Sequence, residues 1–79
     1  MNLTPKQRIV LLSLTTKWQT PIQIANQLPK ASGNLSDVQH ALKDLLNEGL
    51  VQINPAVFGL YRLTAEGKTI KELELSENQ

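Results

Sequence analysis

The side chains able to do chemistry in this sequence are few, and their types restrict what that chemistry is. There is one histidine, His40, and no cysteine. The absence of cysteine removes thiolate nucleophiles, disulfides and thiolate metal sites. His40 has no nucleophile or orienting carboxylate spaced to form a catalytic set with it. Glu48 and Glu66 read as surface charges rather than a catalytic carboxylate pair, and no glycine-rich phosphate loop is present. No enzyme activity, cofactor or metal site is therefore expected. What remains is a hydrogen-bonding surface. At about 100° per residue, Ser36, His40, Lys43 and Asn47 centre one arc of a helix, flanked by Gln39 and Asp44. Val38, Ala41, Leu42, Leu45 and Leu46 fall on the opposite arc. Such a helix buries one face and leaves the other polar.

The elements that position this helix are marked by repeated helix-start chemistry. Thr4-Pro5-Lys6-Gln7 and Thr20-Pro21-Ile22-Gln23 each place a capping hydroxyl first, Pro at the first helical position and Gln at the third. Ser36-Asp37-Val38-Gln39 repeats the box with Asp in place of Pro. In each, the hydroxyl can accept from a backbone amide and the Gln can reach back to the cap amide. These boxes predict helices over about residues 5–16, 21–28 and 37–48. Pro29 ends the second, and Gly49 suits the left-handed position that ends the third. The apolar residues Ile9, Val10, Leu11, Leu12 and Leu14 wrap most of the first helix. That requires either extensive tertiary cover or a partner chain. After the third helix, about residues 50–53 and 58–63 read as two strands around an Asn54-Pro55-Ala56-Val57 turn. Gly59 marks a bulge or a close approach. Thr64 reads as a further cap, before a last helix over about residues 65–75. Its apolar side carries Ile70 and Leu73, and Gly67 is expected to weaken its first turn.

The 79 residues and 8.8 kDa correspond to one domain, expected to span 1–79 with no separate effector domain attached. The 41% hydrophobic content is enough for a core. No apolar run approaches the ~20 residues of a membrane span. The run Ile9-Val10-Leu11-Leu12 is too short for a signal segment, so a soluble cytoplasmic location is expected. The net charge of +1 conceals an asymmetry. Residues 1–43 hold Lys6, Arg8, Lys17, Lys30 and Lys43 against Asp37, net +4. Residues 44–79 hold three basic residues against six acids, net −3. Such a division either favours a polyanion on one side or is the ordinary unevenness of a small chain.

The order helix, helix, turn, helix, hairpin, helix carries a specific resemblance. Helices over about 21–48 make a helix-turn-helix, and the hairpin over about 50–63 follows as a wing. The stretch from Val38 through Gly49-Leu50-Val51 resembles the recognition helix and first wing strand of bacterial winged-helix regulators. Tyr61-Arg62-Leu63-Thr64-Ala65-Glu66-Gly67 resembles the second wing strand and following helix of the multiple-antibiotic-resistance (MarR) and phenolic-acid-response (PadR) types. The resemblance covers about residues 4–75. It implies a mainly α winged helix-turn-helix with a small β-hairpin, binding double-stranded DNA as a transcriptional regulator.

Carried over, it places Ser36, Gln39, His40 and Lys43 where base edges are read. It makes Lys30, Ser32 and Asn34 in the preceding turn, and Arg62 on the wing, phosphate contacts. Each position has an alternative. Gln39 as a base contact competes with Gln39 as the capping partner of Ser36; His40 and Lys43 also read as solvated helix residues; Trp18 and Tyr61 read as core. Two departures from the pattern stand out. The polar arc has one Lys beside Asp37 and Asp44, and the tip Pro55-Ala56-Val57-Phe58 lacks the basic residue usual in a wing. Since phosphate contacts dominate affinity, a single protomer is expected to bind weakly, and a homodimer would double its contacts. Leu11, Trp18, Val57 and Phe58 are the interface candidates for a second copy or another protein. The alternative function is a winged-helix protein-interaction or accessory module with weak or no DNA binding.

Overall fold

The computed structural model describes residues 2–29 and 34–77. The chain forms α1 (Pro5–Ser13), α2 (Pro21–Gln27), α3 (Leu35–Asn47), β1 (Val51–Ile53), β2 (Tyr61–Leu63) and α4 (Ala65–Glu77). Element types and order are those predicted. The first two capping boxes form as read. Gln7 N donates to Thr4 Oγ1 at 3.2 Å and Thr4 N to Gln7 Oε1 at 3.0 Å. Gln23 and Thr20 repeat both bonds at 3.1 and 2.9 Å. Helix α1 is shorter than expected, because Leu14 leaves helical geometry as its C-cap.

The third box is different. Asn34, not Ser36, caps α3: Asp37 N donates to Asn34 Oδ1 at 2.9 Å and Asn34 N to Asp37 Oδ2 at 3.4 Å. Asn serves as well as Ser at this position. Asp37 becomes the third helical residue and stays in the first turn, at the positive end of the helix dipole. At the other end Gly49 adopts φ 77°. Gly49 N donates to Leu46 O at 3.1 Å and Leu50 N to Leu45 O at 3.0 Å, the paired bonds of a Schellman cap. Leu45 and Leu50, which this cap brings together, are both buried.

The core is one cluster: Val10, Leu11 and Leu14 from α1, Ile24 from α2, Val38, Ala41, Leu42 and Leu45 from α3, then Leu50, Val51 and Leu63. Leu11 is 0% exposed, so its candidacy as an interface residue is overturned; the broad apolar girth of α1 is met by tertiary cover. Leu46, expected on the buried arc, is 37% exposed.

Strands β1 and β2 pair antiparallel, with Val51 opposite Leu63, Gln52 opposite Arg62 and Ile53 opposite Tyr61. A third edge, absent from the sequence reading, comes from the α1–α2 connection. Gln19 N donates to Tyr61 O at 2.9 Å, Tyr61 N to Gln19 O at 2.8 Å, and Leu63 N to Thr15 O at 2.9 Å. The regular part of β2 is shorter than predicted, leaving Phe58 to Leu60 in the wing tip.

Helix α4 is capped by Thr64, whose hydroxyl accepts from Gly67 N at 3.0 Å and donates to Gly49 O at 2.7 Å. Its inner face differs from expectation. Gly67 is buried, and Ile70, Lys71 and Glu74 are half-buried, while Leu73 is 55% exposed. A Cβ on Gly67 would lie 1.8 Å from the Leu50 carbonyl oxygen. The glycine therefore permits close approach of α4 to the start of the wing. Arg8 Nε donates to Glu74 Oε2 at 2.9 Å, and Lys71 Nζ to Leu14 O at 2.6 Å. These contacts anchor α4 to α1, so Leu73 turns outward. Three helices, a hairpin and a closing helix constitute a winged helix. Among the described residues no helix is long and apolar enough to cross a membrane.

Candidate nucleic-acid interface

The solvent face of α3 gathers the predicted readers. Ser36, Gln39, His40, Lys43 and Asn47 are all exposed and lie within an arc of about 100°. The shifted cap decides the role of Gln39. With Asn34 and Asp37 forming the box, Gln39 is released from capping and is exposed. Asn34 pays for that release with its acceptor oxygen, which is bound to Asp37 N; its side-chain NH2 remains as a donor. Lys30 and Ser32 lie outside the described residues.

The two acids that burden this helix are drawn aside by α1. Lys6 Nζ pairs with Asp37 Oδ1 at 3.1 Å, and Gln7 Nε2 donates to Asp44 Oδ2 at 3.0 Å. The Lys6 ammonium and the Asn34 backbone amide hold the Asp37 carboxyl below its ordinary pKa. The polar arc thus presents amide, imidazole, hydroxyl and ammonium groups, with the carboxylates tied down on one flank. The same contacts revise the basic first half: Lys6 is engaged by Asp37 and Arg8 by Glu74, so neither stands as a free cation.

On the wing, Arg62 projects from the opposite side of β2 to buried Leu63, and its guanidinium carbon lies 4.1 Å from the centroid of the Trp18 ring. Trp18 is half-buried and outside the core cluster, so its reading as a core residue is replaced by that of a seat for Arg62. A stacked guanidinium keeps its edge donors available while losing rotamer freedom. The sequence carried no sign of this pairing, since the two residues are far apart in the chain and are brought together by the pairing of the α1–α2 connection with β2. Tyr61 packs against the core as expected. At the tip, Val57 is 54% and Phe58 94% exposed.

Comparison with solved structures returns the same architecture. Lactococcus lactis ZitR, wild type in complex with DNA, matches with a TM-score of 0.71 and 25% identity, over 91% of this chain and 50% of that one. A point variant of ZitR matches with a TM-score of 0.75 and 22% identity, over 96% of this chain and 53% of that one. The chain thus spans about half the length of the structures it resembles. No family model matches the sequence, and no curated protein does. The fold defines the class as a winged helix, the architecture of a protein solved in complex with DNA.

Proposed function

We propose that this chain is a DNA-binding winged helix of a transcriptional regulator, with α3 seated in the major groove of double-stranded DNA. The observation that carries the reading is the continuous polar face of α3, exposed along its length, with Asp37 and Asp44 held against α1. Gln39 offers the paired donor and acceptor that suit adenine, Lys43 a donor for guanine, and Ser36, His40 and Asn47 adaptable donors. Arg62, seated on Trp18, and the Asn34 side-chain amide serve as phosphate contacts. The solved complex of ZitR with DNA supports the partner. The relation to the MarR type, action as a homodimer, a cytoplasmic location and the absence of enzymatic activity belong to the same proposal.

The test is a titration of duplex DNA across salt concentrations. Each lost phosphate contact lowers the slope of log K against log salt by about 0.9. Arg62→Ala should lower it by that amount. Lys43→Ala should weaken binding and relax the preference for the best duplex by roughly tenfold, the scale of one lost base contact. Binding that shows neither salt dependence nor a preferred sequence would reject the reading and leave the protein-interaction alternative.

A further inference from the structure

By its own composition α3 is a poor match for a polyanion. Between Leu35 and Asn47 it carries Lys43 against Asp37 and Asp44, a net charge of −1 with His40 neutral. The two acids stand almost two helical turns apart, so they share one edge of the polar face. Asp37, His40 and Asp44 line one cleft with Lys6 and Gln7 of α1. A carboxylate on that edge opposes the approach of phosphate, and Lys43 does not balance two of them.

The balance comes from the first turn of α1. Lys6 Nζ meets Asp37 Oδ1 at 3.1 Å. Gln7 is fixed from both ends of its amide. Its Oε1 accepts from Thr4 N in the capping box at 3.0 Å, which leaves the NH2 end facing α3, where Nε2 donates to Asp44 Oδ2 at 3.0 Å. The core does not depend on the Lys6 contact. Lys6 is 63% exposed, and an ion pair that open adds little to stability. What the two contacts change is the charge that α3 presents. We infer that Lys6 and Gln7 are positioning residues for DNA binding: from α1, without touching the duplex, they keep the Asp37 and Asp44 carboxylates from opposing it. This rests on the DNA-binding reading above. Lys6 cancels the charge of Asp37, whereas Gln7 fixes where the Asp44 carboxylate points.

The experiment is a pair of double-mutant cycles. Affinity is measured at low salt on the duplex that wild type selects from a random library, at a temperature where circular dichroism shows every variant folded. Lys6→Ala should bind roughly fivefold more weakly, the scale of one exposed like-charge contact. Asp37→Asn should bind at least as tightly as wild type. The double variant should match Asp37→Asn within about twofold, because no carboxylate is left for Lys6 to neutralise. A Lys6→Ala loss equally large in both backgrounds would make Lys6 a phosphate contact in its own right. That result, or no loss at all in Lys6→Ala, would overturn the positioning role of Lys6 while the DNA reading stands. For Gln7 the variant is Gln7→Glu, which keeps the acceptor that caps α1 and removes the donor. It should weaken binding in the wild-type background and cost little in Asp44→Asn, where the pair re-forms with its donor on α3. An equal cost in both backgrounds would overturn the role of Gln7. Absence of salt-dependent DNA binding by wild type would overturn the DNA reading and this inference together.

Discussion

A guanidinium resting on an indole makes Trp18 and Arg62 one unit, and their separate substitutions have different consequences. Arg62→Ala removes a charge. Trp18→Leu leaves the charge and removes only its seat, a stacking interaction of about 0.5–1 kcal/mol at an exposed site. We expect Trp18→Leu to weaken DNA binding by roughly twofold to fivefold at every salt concentration, with an unchanged salt slope. A slope falling as in Arg62→Ala would show that Arg62 depends wholly on the ring for its position. Asp37 makes a second case. Its carboxyl titrates below its ordinary value because Lys6 and the Asn34 amide favour the charged form. A depressed pKa in the folded state contributes stability above the unfolded value near pH 4, and that contribution is lost as pH falls through the folded value. Asp37→Asn should therefore reduce stability at neutral pH and flatten its decline in acid below about pH 4. The check is denaturant unfolding as a function of pH.

At the level of elements, α3 turns on which of two overlapping boxes forms. Asn34 with Asp37 and Ser36 with Gln39 have the same spacing, and local chemistry alone does not separate them. The structure starts the helix at the first, which brings Asp37 within reach of Lys6 on α1. Asn34→Ala should cost about 1 kcal/mol of stability, as cap removals do. Ser36→Ala should stay within about 0.5 kcal/mol, as exposed substitutions do. Thermal unfolding of the pair distinguishes the caps, and the reverse ranking would restore Ser36. For α4 the relevant residue is Gly67, which the sequence marks only as a poor helix former. Ala is worth about 1 kcal/mol over Gly within a helix, so local propensity alone would make Gly67→Ala stabilising. The Leu50 carbonyl lies where the new methyl would stand. We expect net destabilisation of about 1–3 kcal/mol, the cost of overpacking. A raised melting temperature would show that α4 can slide away from the wing.

Across the whole molecule, legibility followed the range of the interactions. Thr4, Thr20, Gly49 and Thr64 announce helix ends because a cap is satisfied within a few residues, and the α3 face was legible because a helix fixes its own periodicity. The Gln19–Tyr61 bridge, the seat of Arg62 on Trp18, the capture of Asp37 and Asp44 by α1 and the outward turn of Leu73 were not, because each joins elements distant in the chain. Those contacts meet around one core cluster, to which α1, α2, α3 and the hairpin all contribute, so the domain should unfold as one unit. At about 0.05–0.15 kcal/mol per residue its stability is roughly 4–12 kcal/mol. Leu45 is fully buried and contributes to both the core and the Schellman cap of α3. Leu45→Ala should cost about 2–5 kcal/mol, a large part of that total, and lower the melting temperature by more than about 10 °C. Far-ultraviolet circular dichroism reports the helices, while the fluorescence of Trp18, the only tryptophan, reports the junction between the α1–α2 connection and the wing. The two transitions should coincide in wild type and remain coincident, both shifted, in Leu45→Ala. Separation, with Trp18 released before the helices melt, would show that the wing is held by its edge contacts to Gln19 and Thr15 rather than by the shared core.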